Sequence, residues 1–264
     1  MINKRVLVSF DGACPFYCKH CYTYGLEQGL NNRSIEEIIK SIEKKDFDII
    51  YVSQKKENFA NPDEGILLCE LLYNRYHTDI MAITRNVFDE KQINRLRDLD
   101  QKMRNAGKQI FLAVSISAIE SAGVTEDLER VPSPYERINF LRDVSKAGIT
   151  TFLVIRPLYP QTIIPISEVF SLVDKSKNYV SGILSSGLAV NKTILDQLGL
   201  DENDFLYSEE DKSDYFVGAI EDIKFTNVKK ELKMLRDYCK KHNIPFFSHS
   251  LPAINYMKEQ TCIL

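Results

Sequence analysis

Cys14-Pro15-Phe16-Tyr17-Cys18-Lys19-His20-Cys21 sets three cysteines in a C-x3-C-x2-C spacing. The run follows at once on an apolar stretch, Val6-Leu7-Val8-Ser9-Phe10, and a turn, Asp11-Gly12-Ala13. A tight loop behind a strand can aim several thiolates at one point. Thiolates are soft donors that select iron–sulfur clusters, zinc or Cu(I) over hard cations. Ordinary four-iron electron carriers use four cysteines, so three leave one metal corner without a protein ligand. The spacing by itself implies a three-thiolate site with room for a fourth ligand. Two other readings use the same residues. A closed Cys3His zinc site would recruit His20 or another histidine, but His20 lies between Cys18 and Cys21 and would close a very small chelate ring. A disulfide would leave one thiol of the triplet over.

The chain has 264 residues, enough for one barrel-sized domain or two small ones. Its hydrophobic and charged fractions are those of an ordinary globular protein. A net charge of −3 offers no global attraction to nucleic acid or to an anionic membrane. No apolar run approaches a membrane span. Met1-Ile2-Asn3-Lys4-Arg5 leads into a strand without a cleavage-type site, so no signal peptide is expected. Six cysteines in that setting fit a reducing cytoplasm and a metal site better than a disulfide framework.

Strand and helix patterns then alternate. Arg5–Phe10 reads as the first strand, and Ser34 with Glu37 as a capping box opening a helix with Ile35, Ile38, Ile39 and Ile42 on its apolar face. Asp48–Ser53 is a second strand, and Pro62 opens the next helix. Asp79–Thr84 is the third strand; Asp89 caps a helix that Gly107 ends. Ile110–Ser117 is the fourth strand, and Ser133-Pro134-Tyr135-Glu136 a further capping box whose helix stops at Gly148. Thr150–Arg156 is the fifth strand, broken by Pro157 and Pro160; Ser167–Lys175 is a helix and Tyr179–Leu184 the sixth strand. Continuous apolar strands alternating with amphipathic helices predict a parallel sheet covered by helices, closing as a complete or partial barrel with its chemistry at the carboxy ends of the strands. The division expected is a core barrel over 1–188 and a C-terminal extension over 189–264 packed on it. The extension holds an acidic run over 191–222, a basic helix over Val228–His242, an edge strand at Ile244–Ser248 and a tail from His249.

The cysteine motif, placed after the first strand, resembles that of the radical S-adenosylmethionine (radical SAM) superfamily, and the element order is similar from about Arg5 to Leu188. The resemblance implies an α/β fold, a partial (β/α)6 TIM-like barrel with a C-terminal helical and strand extension. It implies one [4Fe–4S] cluster held by Cys14, Cys18 and Cys21, with SAM chelating the fourth iron. It implies reductive cleavage of SAM, a 5′-deoxyadenosyl radical that abstracts hydrogen from a substrate, and an external electron donor such as flavodoxin or ferredoxin. His20, at the position that in the family is usually aromatic and near the adenine, would stack or hydrogen-bond there. Where the family has a Gly-Gly-Glu-like segment for the SAM ammonium group, this chain has Ser53-Gln54-Lys55-Lys56-Glu57, so Gln54 or backbone carbonyls would accept instead. Ser115 and Ser117 share one strand face and suit the ribose hydroxyls; small polar strand-end residues are the bland alternative. Arg156 offers the SAM carboxylate a two-pronged partner, against a structural ion pair. Arg85 is the candidate substrate anchor.

Gly182-Ile183-Leu184-Ser185-Ser186-Gly187, placed after the sixth strand, has a loose likeness to the family's adenine motif. Cys69 and Cys239 fall on apolar helix faces and read as core, and Cys262 as a tail thiol. With no cysteine-rich C-terminal segment, a single cluster is expected. The substrate stays open among peptide, nucleotide and small metabolite; the lack of a basic patch argues against a large nucleic acid and nothing points to a membrane. The reading from another class is a non-catalytic iron–sulfur or zinc-binding regulatory or scaffold protein.

Overall fold

The computed structural model describes residues 1–21, 33–52, 56–190, 192–200, 224–226 and 228–261. Its strands are β1 (Arg5–Val8), β2 (Ile49–Val52), β3 (Asp79–Thr84), β4 (Ile110–Ser115), β5 (Thr150–Leu158), β6 (Gly182–Gly187), β7 (Ala189–Val190), β8 (Lys224–Phe225) and β9 (Phe246–Phe247). The helices are α1 (Ile35–Lys40), α2 (Pro62–Tyr76), α3 (Glu90–Arg104), α4 (Ala122–Thr125), α5 (Pro134–Lys146), α6 (Ile166–Ser176), α7 (Lys192–Leu198), α8 (Lys229–Lys241) and α9 (Ser250–Thr261). Seven strands form one parallel sheet in the order β1-β2-β3-β4-β5-β6-β9. β1 and β9 are its two edges, so this is a partial barrel. β7 and β8 make a separate antiparallel pair.

Local sequence chemistry fixes the helix starts. Ser34 with Glu37, Asp89 with Gln92 and Ser133 with Glu136 form reciprocal capping boxes, and Asn61 caps α2 ahead of Pro62. The strands are apolar on both faces because both faces are covered. Ile50, Ile80, Leu112, Leu153 and Ile183 meet the helices, while Tyr51, Met81, Phe111, Phe152 and Leu184 alternate toward the inside of the curved sheet.

β1, β2 and β9 are each shorter than the sequence pattern, β1 ending at Val8 instead of Phe10, and four further boundaries differ from it. β4 ends at Ser115, two residues early. β5 runs through Pro157 to Leu158; its register against β6 shifts between Ile155 and Leu158, which spares the ladder the N–H that proline lacks. Lys177–Tyr179 forms a short 3-10 turn after α6, so β6 begins only at Gly182, and Gly182–Gly187 is the sixth strand itself. Gly182 is needed there: a Cβ would come within 3.0 Å of the Phe247 ring and 3.2 Å of the Pro245 carbonyl. The fourth difference is the tail, which is the helix α9.

α9 lies against the concave side of the sheet. Ala253 and Ile254 are fully buried, with Leu251 and Met257 beside them, against the inward-facing side chains. Its far end is tied to the amino-terminal side of the strands: Asn255 exchanges two hydrogen bonds with the backbone of Ile2, at 2.7 and 2.9 Å, and Lys258 pairs with the buried Asp79 at the start of β3. α8 packs on α6 through Phe170 and Tyr238, stacked at 4.1 Å, and the Tyr238 hydroxyl donates to Asp174 at 2.7 Å. Cys69 and Cys239 are fully buried core thiols. Most of the acidic run, and Cys262, lie outside the described residues. Among the described residues no helix is long and apolar enough to cross a membrane.

Candidate functional site

The cysteine loop leaves the carboxy end of β1 and turns its residues alternately out and in. Pro15, Tyr17 and Lys19 are exposed, while Phe16, Cys18 and His20 are buried. Tyr17 reverses the chain in the left-handed region, at φ 47°, and its ring carries the Arg130 guanidinium 4.3 Å from the centroid. Phe16, Cys18 and Val131 form a small apolar cluster with Cys14 and Cys21 packed on it. The loop is pinned from several sides. Lys19 N–H donates to the Thr125 carbonyl and Cys21 N–H to that of Cys18, both at 3.0 Å. Arg33 grips the Asp11 carboxylate with two guanidinium N–H groups at 2.7 Å each, and Lys56 donates to the Asp11 carbonyl at 2.8 Å.

The thiols suit a metal group. Cys14 feels the charge of Cys21, and Cys18 that of Cys21 and Cys14, and the three pack in one cluster. Burial pushes the Cys18 thiol up to about 12 and also raises Cys14. Desolvated thiolates of this kind persist when a soft cation supplies the opposing charge. The Glu57 N–H points at Cys14 Sγ, 3.4 Å away, as a hydrogen bond to a ligand sulfur would. Among the described residues no three His, Cys, Asp or Glu side chains are gathered tightly enough to hold one ion as they stand.

His20 is not a free ligand for such an ion. Arg85 Nη2 lies 3.1 Å from its Nε2, and Tyr159 Oη 2.6 Å from its Nδ1. A guanidinium only donates, so Nε2 accepts and Nδ1–H must donate to the tyrosine oxygen. Burial first, then the Arg85 charge, push the imidazole down to about 3 and keep it neutral. The ring face is the part of His20 left for another group.

Arg85 follows β3 and stands at the centre of a buried network. Its backbone N–H donates to Glu57 Oε2 at 2.7 Å, and Thr84 Oγ1 and Phe59 N–H fill Oε1 of the same carboxylate at 2.8 and 3.0 Å. Burial raises the Glu57 carboxyl against these donors. The Arg85 guanidinium also donates to the Arg156 carbonyl at 3.2 Å and reaches Glu126 Oε1 at 3.3 Å. Glu126 is gripped through both oxygens by Arg137, which is fully buried and whose Nη1 also donates to the Ser115 carbonyl at 2.7 Å. Burial would raise the Glu126 carboxyl, but Arg137 and then Arg85 hold it below the usual carboxylate range.

The remaining predicted residues line the inward rim. Ser115 and Ser117 are both buried, and Ser117 Oγ has no hydrogen-bond partner among the described residues. Arg156 Nη2 donates to the Ser248 carbonyl just ahead of α9, and its buried Nε has no partner among the described residues. The structure thus brings Arg85 and Arg156 together through the Arg156 carbonyl. Gln54 lies outside the described residues. Glu126, Arg137 and Tyr159 are participants that sequence reasoning missed. Arg137 carried a signal: it falls on the apolar stripe of Pro134, Ile138, Leu141 and Val144, where a charged residue needs a buried partner.

A family model described as the Radical SAM superfamily matches residues 8–173. A search of curated proteins finds no match. Among solved structures, the chain is similar to a mutant spore photoproduct lyase with bound AdoMet and dinucleoside spore photoproduct, with TM-score 0.63 and 14% identity over 89% of this chain and 72% of that one. It is similar also to Streptococcus suis SuiB bound to S-adenosylmethionine, with TM-score 0.59 and 13% identity over 91% of this chain and 49% of that one. A radical SAM methyltransferase from Sphaerobacter thermophilus gives TM-score 0.59 and 14% identity over 92% of this chain and 65% of that one. At these identities the likeness speaks for the fold.

Proposed function

Because this chain belongs to the radical SAM superfamily, a family of enzymes, we propose that it binds one [4Fe–4S] cluster through Cys14, Cys18 and Cys21 and binds SAM beside it. When bound, the cluster supplies the electron that splits SAM into methionine and a 5′-deoxyadenosyl radical, which takes a hydrogen atom from the substrate. The protein's part is to place these groups and keep water out. The carrying observation is the pair of buried polar atoms at the carboxy ends of β4 and β5, Ser117 Oγ and Arg156 Nε, that lack partners among the described residues. Buried polar atoms without partners are costly, and a ligand with hydroxyls and a carboxylate supplies what both lack.

Ser117, with Ser115 beside it, meets the ribose, and the Arg156 guanidinium meets the carboxylate. His20 offers its ring face toward the adenine. Gln54 takes the ammonium group on the family resemblance alone. An external one-electron carrier of flavodoxin or ferredoxin type reduces the site. The substrate is a peptide, nucleotide or small metabolite that meets the rim above α9.

Anaerobic purification, cluster reconstitution and addition of dithionite and SAM test this reading. The expected result is 5′-deoxyadenosine, seen by mass spectrometry, from a brown protein. A colourless protein with stoichiometric zinc and no product would favour a metal-binding scaffold instead.

A further inference from the structure

Arg85 is more than a fastening of the rim. Its side chain is 23% exposed, and its charge is poorly matched by the acids around it. Glu126 gives both oxygens to Arg137 and meets Arg85 through one N–H at 3.3 Å. Glu57 spends its carboxylate on backbone N–H groups and the Thr84 hydroxyl. The other guanidinium contacts are neutral: the His20 ring and the Arg156 carbonyl. Among the described residues, this half-buried cation is left short of an anion. His20, which the guanidinium touches at 3.1 Å, directly precedes Cys21 and stands two residues after Cys18, so the guanidinium lies against the cysteine loop.

We propose that Arg85 is the counter-charge of the cluster, a positioning residue that sets its reduction potential and does not anchor the substrate. The inference rests on the cluster reading above. Three thiolates outweigh the positive charge of a four-iron core, and uptake of one electron from the external carrier, itself oxidised by one, adds a further negative charge. No bond forms and no proton moves in that step. A fixed guanidinium against the cysteine loop favours the more negative state, and more so where water is sparse. Arginine suits the task because it stays charged when buried.

The test is a redox titration of the reconstituted protein followed by the paramagnetic signal of the reduced cluster, without substrate. Arg85→Gln should load iron fully. At a fixed applied potential its ratio of reduced to oxidised cluster should fall at least tenfold, a shift of about 59 mV for one electron. Arg85→Lys should stay within threefold of the parent, and SAM affinity should change less than threefold in both. A loaded Arg85→Gln with an unmoved midpoint overturns the proposal, as does a Lys variant that shifts as far as the Gln variant. Should Arg85→Gln take up no iron, Glu126→Gln decides: removing the opposing charge must ease reduction at least threefold, and an unchanged or harder reduction overturns the inference. Failure of the parent protein to bind iron refutes the cluster reading instead, so the two outcomes are distinct.

Discussion

Replacing Ile254 by alanine tests whether α9 fills the inside of the barrel. Ile254 is fully buried, against walls made by Tyr51, Phe111 and Phe152 on three different strands. The change removes three carbon atoms, worth about 2.4 kcal/mol of lost transfer at ~0.8 kcal/mol each. The strands are locked into a parallel ladder and cannot close the gap, so a cavity cost adds to this. The total should be about 3–4 kcal/mol, inside the ~2–5 kcal/mol range for such truncations in well-packed cores. In urea, with a slope of about 3 kcal/mol/M for a chain this long, the midpoint should fall by roughly 1 M at unchanged slope. Glu259→Ala, on the exposed side of the same helix, should stay within about 0.5 kcal/mol of the parent. If Ile254→Ala lost less than about 1 kcal/mol, or no more than the Glu259 control, α9 would not occupy the barrel interior and the floor of the site would be open.

The other expectations concern the rim and the helix starts. Cys18→Ala should abolish both the cluster colour and 5′-deoxyadenosine formation; retained turnover would remove it from the ligand set. Arg156→Ala should weaken SAM binding with iron content intact, as measured by equilibrium dialysis, and an unchanged affinity would sever Arg156 from the ligand. The Glu136 carboxyl is held below the usual range because the Ser133 hydroxyl and N–H both donate to it. A depressed carboxyl stabilises the folded state above its unfolded pKa and loses that contribution as pH falls through its lower folded value. The first turn of α5 should therefore exchange amide protons faster as pH falls below about 4, after correction for the intrinsic pH dependence of exchange, an effect that Ser133→Ala should abolish.

The barrel was legible because its signals are local. Ser34, Asp89 and Ser133 each announce a helix within four residues, and β3 falls on the predicted Asp79–Thr84. What escaped depends on partners far away in sequence. α9 reads as a tail because Ser250–Thr261 carries no sharp amphipathic stripe; it is held by residues such as Ile2 and Asp79, over a hundred positions away. β6 starts late because a 3-10 turn takes up Lys177–Tyr179, and the Gly182 that opens it must admit Pro245 and Phe247, which no reading of residues 177–187 discloses. The site divides in the same way. The cysteines are one motif, whereas the network joining Arg137, Glu126, Arg85, His20 and Tyr159 draws on five separate segments.

With α9 against the concave face, no reactant can be drawn down between the strands, so chemistry is confined to their carboxy ends. There the fold places groups of two kinds. Some are already satisfied, such as His20 between Tyr159 and Arg85, and they hold the cysteine loop rigid. Others, Ser117 Oγ and Arg156 Nε, lack hydrogen-bond partners among the described residues, and Arg85 is undermatched in charge there. A scaffold of maximal stability would pair these groups or replace them with apolar ones. Among the described residues, buried atoms without partners occur elsewhere too, at Tyr51, Arg137, Ser176 and Gln197, but two of them together with an undermatched cation mark the rim as a place where folding stability has been given up for binding. Filling the orphans should therefore return stability: the midpoint for unfolding should rise with SAM concentration in the parent, and less so in Arg156→Ala. A ligand-dependent rise of equal size in both proteins would show that SAM is held elsewhere.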